Sequence, residues 1–211
     1  WLPLWADKMA QQEKAIVQKA IEQKGLSAEQ TRVEFKTADE SFSKWKAYTQ
    51  ILSGLGAIIG CFVGPAIGGL MGRRPAYFGL CLGSLLLCGY LFRTVNHYGP
   101  LFLVMVGLVG GVTAAFYGWF PLYLPELFPT RVRATGQGLS YNFGRILAAG
   151  GALGQGQLVA YYGGSYAQAG ATITLVYALG LVLIWFAPET KGKPLPECPA
   201  RRPSPHFPLV A

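Results

Sequence analysis

Arg145, in the run SYNFGRILAAGG, is the one ionisable side chain well inside a long apolar stretch of this sequence. A charge at membrane depth is costly and normally faces a cavity or a partner. Two readings stand side by side. Arg145 contacts an anionic group of a solute or a gating acid, or it snorkels, its guanidinium lying about 10 Å from the polar boundary if the apolar core begins near Gly138. Tyr117, Trp119, Tyr141 and Asn142 lie in the same stretches. Aromatic and amide groups of this kind, lining a path between helices, suit a small polar solute. Tyr123 reads instead as an anchor at the membrane–water interface.

Catalytic chemistry has nothing to work with in these stretches. They contain no His, no Ser–His pair and no pair of carboxylates, and His97 and His206 fall in a loop and in the tail. Cys61, Cys81 and Cys88 sit in apolar runs and Cys198 stands alone, so no metal-ligand spacing arises and the thiols read as small hydrophobes. The sequence therefore predicts a protein that is not an enzyme and carries no cofactor or metal. A second group of chemistry-bearing residues lies between the apolar runs. Glu126 and Glu189 share one set of breaks with Arg73, Arg74, Arg131, Arg133 and Lys191. Two acids among so many cations predict ion pairs that gate one end of a helical bundle.

The elements that position these residues follow from the distribution of charge. The chain has 211 residues, 52% of them hydrophobic and 13% charged, against about 25% charged in an ordinary soluble domain. Residues 1–50 hold eight Lys/Arg and seven Asp/Glu, while Ile51 to Ala187 carries one acid and six Arg. A soluble fold could not cover its surface so sparsely. The net charge of +8 is dispersed singly or in pairs, so it is no nucleic-acid footprint. Five apolar segments approach the roughly 20 residues of a bilayer span, at about 47–71, 76–94, 99–124, 136–162 and 167–187. The expected fold is an all-α membrane protein whose partner is the lipid bilayer. If the spans alternate, eight cations (Arg73, Arg74, Arg131, Arg133, Lys191, Lys193, Arg201 and Arg202) share a side. Arg93, Lys36, Lys44 and Lys46 fall opposite. By the positive-inside rule the first group and the C-terminus are cytoplasmic, in a multi-pass plasma (inner) membrane protein.

Residues 1–46 then read as a charged, helical extracytoplasmic segment. Residues 6–24 are strong helix formers, and Ser27/Gln30 and Thr37/Glu40 have capping-box spacing, which predicts two further helix starts. Residues 47–187 form the transmembrane bundle, and 188–211, with seven prolines, a cytoplasmic tail. In the first span Gly56, Gly60, Gly64, Gly68 and Gly72 recur every fourth residue, a side-chain-free stripe suited to close helix packing in lipid. Pro65 and Pro121 predict bends.

Three loops carry a resemblance. GRR at 72–74, PELFPTRVRATGQG at 125–138 and PETKG at 188–192 resemble the major facilitator superfamily, in its sugar-porter, organic-ion and organic-acid branches. Their order matches the C-terminal half of such a protein, with the five spans as its eighth to twelfth helices and WLPLW at 1–5 as the end of the seventh. Gly69 and Leu70 stand where the family has an acid and a base before GRR. No tryptophan stands in the sugar porters' register ahead of the second loop; Trp119 is too far upstream. The resemblance implies most of a C-terminal six-helix bundle within a twelve-helix fold, completed by an N-terminal half on the same polypeptide. It also implies alternating access for a small-molecule substrate, most simply proton-coupled. A membrane sensor or scaffold reusing the fold is the alternative class.

Overall fold

A computed structural model describes residues 2–24, 28–95 and 97–197, with the side chains of 20–35, 37–39 and 41–43 outside the description. Among the described residues there is no strand. The chain runs α1 (Leu2–Lys24), α2 (Ala28–Met71), α3 (Arg73–Thr94), α4 (Pro100–Leu127), α5 (Arg133–Tyr161), α6 (Tyr166–Thr174) and α7 (Val176–Leu183). A 3-10 turn at Ile184–Phe186 closes it. Four segments are long and apolar enough to cross a membrane: Lys44–Met71, Arg73–Thr94, Pro100–Leu127 and Tyr166–Phe186.

The expected span at 136–162 exists as a 29-residue helix, α5, but it does not reach the apolarity of the other four. Gln137, Ser140, Asn142, Arg145, Gln155 and Gln157 interrupt its apolar residues, and its glycines add no hydrocarbon. No residue of α5 is buried, and its neighbours are α4 and α6. The helix start expected at Thr37 is also corrected. α2 is unbroken from Ala28 to Met71, because nothing in 37–46 removes a backbone donor or demands a non-helical backbone. Ser27, Trp1 and tail residues 198–211 lie outside the described residues.

Two apolar cores hold the bundle. In the first, Trp5, Ala6 and Met9 of α1 pack among Leu91, Phe92, Phe102 and Val106 of α3 and α4. The Trp5 ring meets Phe92 at 5.2 Å and Phe102 edge-on at 5.6 Å, within the range of favourable aromatic pairs. Trp45 stacks on Tyr98 with centroids 4.0 Å apart. In the second core, Ala76, Leu80, Ala115, Trp119, Tyr123 and Ile184 close the opposite end.

The most intimate contact is between α2 and α4. A Cβ built on Gly56 would fall into the carbonyl of Gly107, one on Gly60 into that of Gly111, and one on Gly64 into that of Ala115. The fit is mutual. A Cβ on Gly110 would stand 2.6 Å from the Ser53 oxygen, and one on Gly118 would enter the Cys61 carbonyl. Lipid tails are as apolar as leucine, so close backbone approach, not hydrophobic drive, is the device that joins two helices in a bilayer. The stripe on α2 meets a second one on α4, Gly107, Gly111 and Ala115, with the same four-residue period.

Candidate functional site: a charge cluster where three helices and the tail meet

The turn from α2 to α3 is a single residue. Gly72 has φ 109°, a backbone that a side chain would strain, and as the N-cap of α3 it has no side chain to offer. The first N–H groups of α3 therefore need an acceptor from elsewhere. Glu189 supplies it. Its Oε1 accepts from the Arg73 N–H at 2.9 Å and its Oε2 from the Arg74 N–H at 2.9 Å. The N–H groups of Thr190 and Lys191 also donate to Oε1, at 3.1 and 3.0 Å. Burial alone would raise the Glu189 pKa, but these four donors hold it below the ordinary carboxylate value. The hydrogen bonds of Glu189 are thus with backbone N–H groups at a helix N-terminus, where negative charge is favoured, and its charge also acts on the Arg73 guanidinium.

Arg73, in the first turn of α3, turns its side chain toward α4. Its Nε donates to Glu126 Oε2 at 2.9 Å and its Nη2 to Oε1 at 2.5 Å, a fork-to-fork pair, while Nη1 donates to the Gly68 carbonyl at 2.7 Å. The Arg73 and Glu126 side chains are only 11% and 17% exposed. Thr190 completes the ring, its hydroxyl donating to Glu126 Oε2 at 2.5 Å. Arg74 Nε donates to the Ala187 carbonyl, and Lys191 Nζ to that of Leu70 at 2.6 Å. Arg133 donates to the carbonyls of Pro125, at 3.0 Å, and Phe128, at 3.2 Å, bracing the α4–α5 turn. Arg131 is exposed. Of the seven residues expected to gate this end, five thus bond into one cluster, Arg133 braces the adjoining turn, and Arg131 is not drawn in.

Thr190 and Tyr123 were not legible as members of this cluster. The Tyr123 side chain is buried, not an interfacial anchor, and its hydroxyl donates to the Pro188 carbonyl at 2.8 Å. The anchor reading fails because the ring packs within the second core, 4.7 Å from that of Trp119, and the Pro188 carbonyl takes up its hydroxyl.

The five expected path residues do not gather. Trp119 is 2% exposed, set between Tyr77 and Tyr123 and against Gly68, so it is a core residue, not the lining of a path. Tyr117 is exposed. On α5, the Arg145 guanidinium lies 5.8 Å from the Tyr141 ring centroid, and Tyr141 meets Phe120 of α4 edge-on at 6.5 Å. The Asn142 amide is turned onto the Gly138 carbonyl at 2.8 Å. A cavity of about 400 Å³ between α4 and α5 is lined by Tyr141, Gln137 and Gly138 against Pro121 and Leu124. Tyr141 and Arg145 are the pair that the structure brings together, beside that cavity.

Comparison with known proteins agrees with the geometry. The sugar (and other) transporter family matches residues 35–201. A protein named "Probable 4-methylmuconolactone transporter" of Cupriavidus pinatubonensis is 32% identical over 146 residues, 68% of this chain and 33% of its own. "Sialic acid transporter NanX" of Escherichia coli is 28% identical over 134 residues, covering 63% and 32%. "Organic cation/carnitine transporter 7" of Arabidopsis thaliana is 30% identical over 145 residues, covering 65% and 27%. The chain spans about a third of the length of the curated relatives it matches. Four membrane-length apolar helices make it an integral, multi-pass membrane protein. With the family match covering most of the sequence, and the motif residues of its three loops closing on one another through Arg73, Glu126 and Glu189, this chain belongs to the sugar (and other) transporter family of the major facilitator superfamily.

Proposed function

We propose that the polypeptide is a secondary active carrier of a small organic metabolite or ion, working by alternating access in a plasma (inner) membrane. The chain serves as its C-terminal half, with the N-terminal half completing the path. The observation that carries this reading is the Arg73–Glu126 pair, tied through Thr190 and Glu189 to the last span and the segment after it. It links the ends of α2, α3 and α4 by an ion pair and hydrogen bonds between separate helices, which is what a gate at the cytoplasmic end requires. The C-terminus is cytoplasmic on this reading. Arg145 and Tyr141 face the substrate, and the names of the relatives, which include sialic acid and carnitine, suit an ionisable organic solute.

Coupling is to protons, and the proton-carrying acid belongs to the N-terminal half. Within the expected spans between 47 and 124 and between 136 and 187 the sequence places no Asp, Glu or His, the one histidine there, His97, falling in a loop, whereas a proton site needs a desolvated acid able to load near neutral pH. Glu126 is already engaged by Arg73 and Thr190. The test is uptake by the reconstituted full-length protein. Glu126→Gln and Glu189→Gln should slow turnover yet keep proton-driven accumulation, and Arg145→Gln should abolish it for an anionic substrate. Lost accumulation with intact exchange, in either glutamate variant, would place the coupling acid here and overturn the reading.

A further inference from the structure

At the end of the bundle opposite the charge cluster, a second cavity of about 470 Å³ opens between the last turn of α3 and the α5–α6 turn. Its polar walls are Arg93, Tyr162, Ser165, Gln168 and Thr172, with Phe92 as an apolar wall. The turn that shapes it is built for the purpose. Gly163 and Gly164, at φ 62° and 89°, bring the Gly164 N–H onto the Val159 carbonyl at 2.8 Å and deliver Ser165 as the N-cap of α6. The Phe92 ring fills the place where a Cβ of Gly170 would stand, so α3 and α6 meet in close contact beside the cavity.

The hydrogen-bond ledger of this cavity is one-sided. Thr172 donates to the Gln168 carbonyl at 3.0 Å and is itself bonded to the Tyr162 hydroxyl at 2.9 Å, so that pair is occupied. The Ser165 oxygen accepts from the Gln168 N–H at 3.3 Å, which leaves the Ser165 O–H as a donor without a partner. Among the described residues the Arg93 guanidinium forms no hydrogen bond or ion pair, and the Gln168 side-chain amide is likewise uncommitted. No acid lines the cavity. Outside the lining, Lys8 lies 5.8 Å from the ring centroid of Tyr166, the residue after Ser165. Unused donors on three side chains, a helix N-terminus and a surplus of positive charge select an oxyanion.

Depth decides which oxyanion. α3 ends as a membrane span at Thr94 and the last span begins at Tyr166, so the cavity lies where both leave the hydrocarbon, at headgroup level. We propose that this cavity binds a phosphate group, with Arg93, Ser165 and Gln168 as its donors and Phe92 beside the apolar part of the ligand. A phospholipid headgroup and a free phosphate share this chemistry, and the experiment separates them.

The full-length protein is equilibrated with bilayers of phosphatidylcholine containing phosphatidylglycerol. It is then released into detergent, and the retained phosphatidylglycerol is counted by native mass spectrometry. A parallel sample in detergent alone receives inorganic phosphate. Loss of a charged hydrogen-bonding partner should lower retention about tenfold in Arg93→Gln, with a smaller loss in Gln168→Ala and most retention kept in Arg93→Lys. Retained lipid that responds to these variants identifies the phospholipid as ligand. A phosphate adduct that responds while lipid retention does not identifies the free anion. Equal retention of both ligands by the wild type and Arg93→Gln overturns the site. A response to Arg93→Gln with none to Gln168→Ala reduces it to a lone surface charge and overturns it too. Unchanged elution volumes on gel filtration confirm that each variant is folded.

Discussion

Arg73 and Glu126, 53 positions apart, meet fork to fork, with Nη2 2.5 Å from Oε1 and Nε 2.9 Å from Oε2. Both sit at helix ends and both are largely covered, so neither charge has water as a ready substitute. Removing one partner leaves the other desolvated, which costs more than the pair itself contributes. Glu126→Gln should destabilise the detergent-solubilised full-length protein by roughly 3 kcal/mol. Arg73→Lys should cost less, since it retains the charge but loses the fork. The double variant Arg73→Gln/Glu126→Gln should be less damaged than the sum of the singles; thermal unfolding of the four proteins measures this, and strict additivity would show that the pair is not coupled.

The glycine stripe separates positions that share a residue type. Gly60→Leu and Gly64→Leu must push α2 off α4, because even a Cβ would enter a carbonyl of the facing helix. A loss above about 3 kcal/mol, the upper range for overpacking, is expected. Gly54→Leu, on the same helix with nothing within 4 Å, should be near neutral. Expression and monodispersity of the three variants decide the matter.

Glu189 makes stability depend on acid. Its folded pKa lies below the unfolded value of about 4.3, so the stabilisation is complete above that value. It is lost as pH falls through the lower folded pKa, when the carboxylate must take up a proton. Between about pH 5 and pH 3, wild type should therefore lose melting temperature faster than Glu189→Gln. Parallel curves would mean that the carboxylate does not cap α3.

Tyr123→Phe removes only a hydroxyl. It should cost about 1 kcal/mol by leaving the Pro188 carbonyl without its donor. The visible effect should be on the segment after the last span, with faster proteolysis near Lys191 and Lys193 than in wild type. Equal cleavage rates would show that the tyrosine does not hold this segment.

How much of this was legible in the sequence depended on whether a property is local. Spans such as 76–94 and 99–124 were readable, because hydropathy and length act on each segment alone; α3 and α4 lie within a few residues of those limits. The stripe at Gly56, Gly60, Gly64 and Gly68 was readable by its period. Its counterpart, Gly107, Gly111 and Ala115, carried the same signal but was diluted by the other small residues of α4. Glu189 is different in kind. That a carboxylate at 189 caps a helix beginning at 73 follows from where the last span returns the chain, and no pattern near either residue encodes it. Trp119 misled for a related reason. A tryptophan among tyrosines reads equally as a solute-facing or a packing residue, and only the position of Gly68 opposite it decides for packing.

The unbroken course of α2 has a mechanical consequence. At 44 residues it is roughly 66 Å long, and its membrane-apolar part begins only at Lys44. About 24 Å of it, residues 28–43, therefore projects beyond that part as a helix continuous with the span, and Pro65 near the other end is the one place in it where a proline removes a backbone donor. A rod converts a small tilt at one end into a larger displacement at the other. A protein or antibody fragment gripping the projecting end would have leverage on the Gly72 turn, and through it on Arg73, without touching the bilayer.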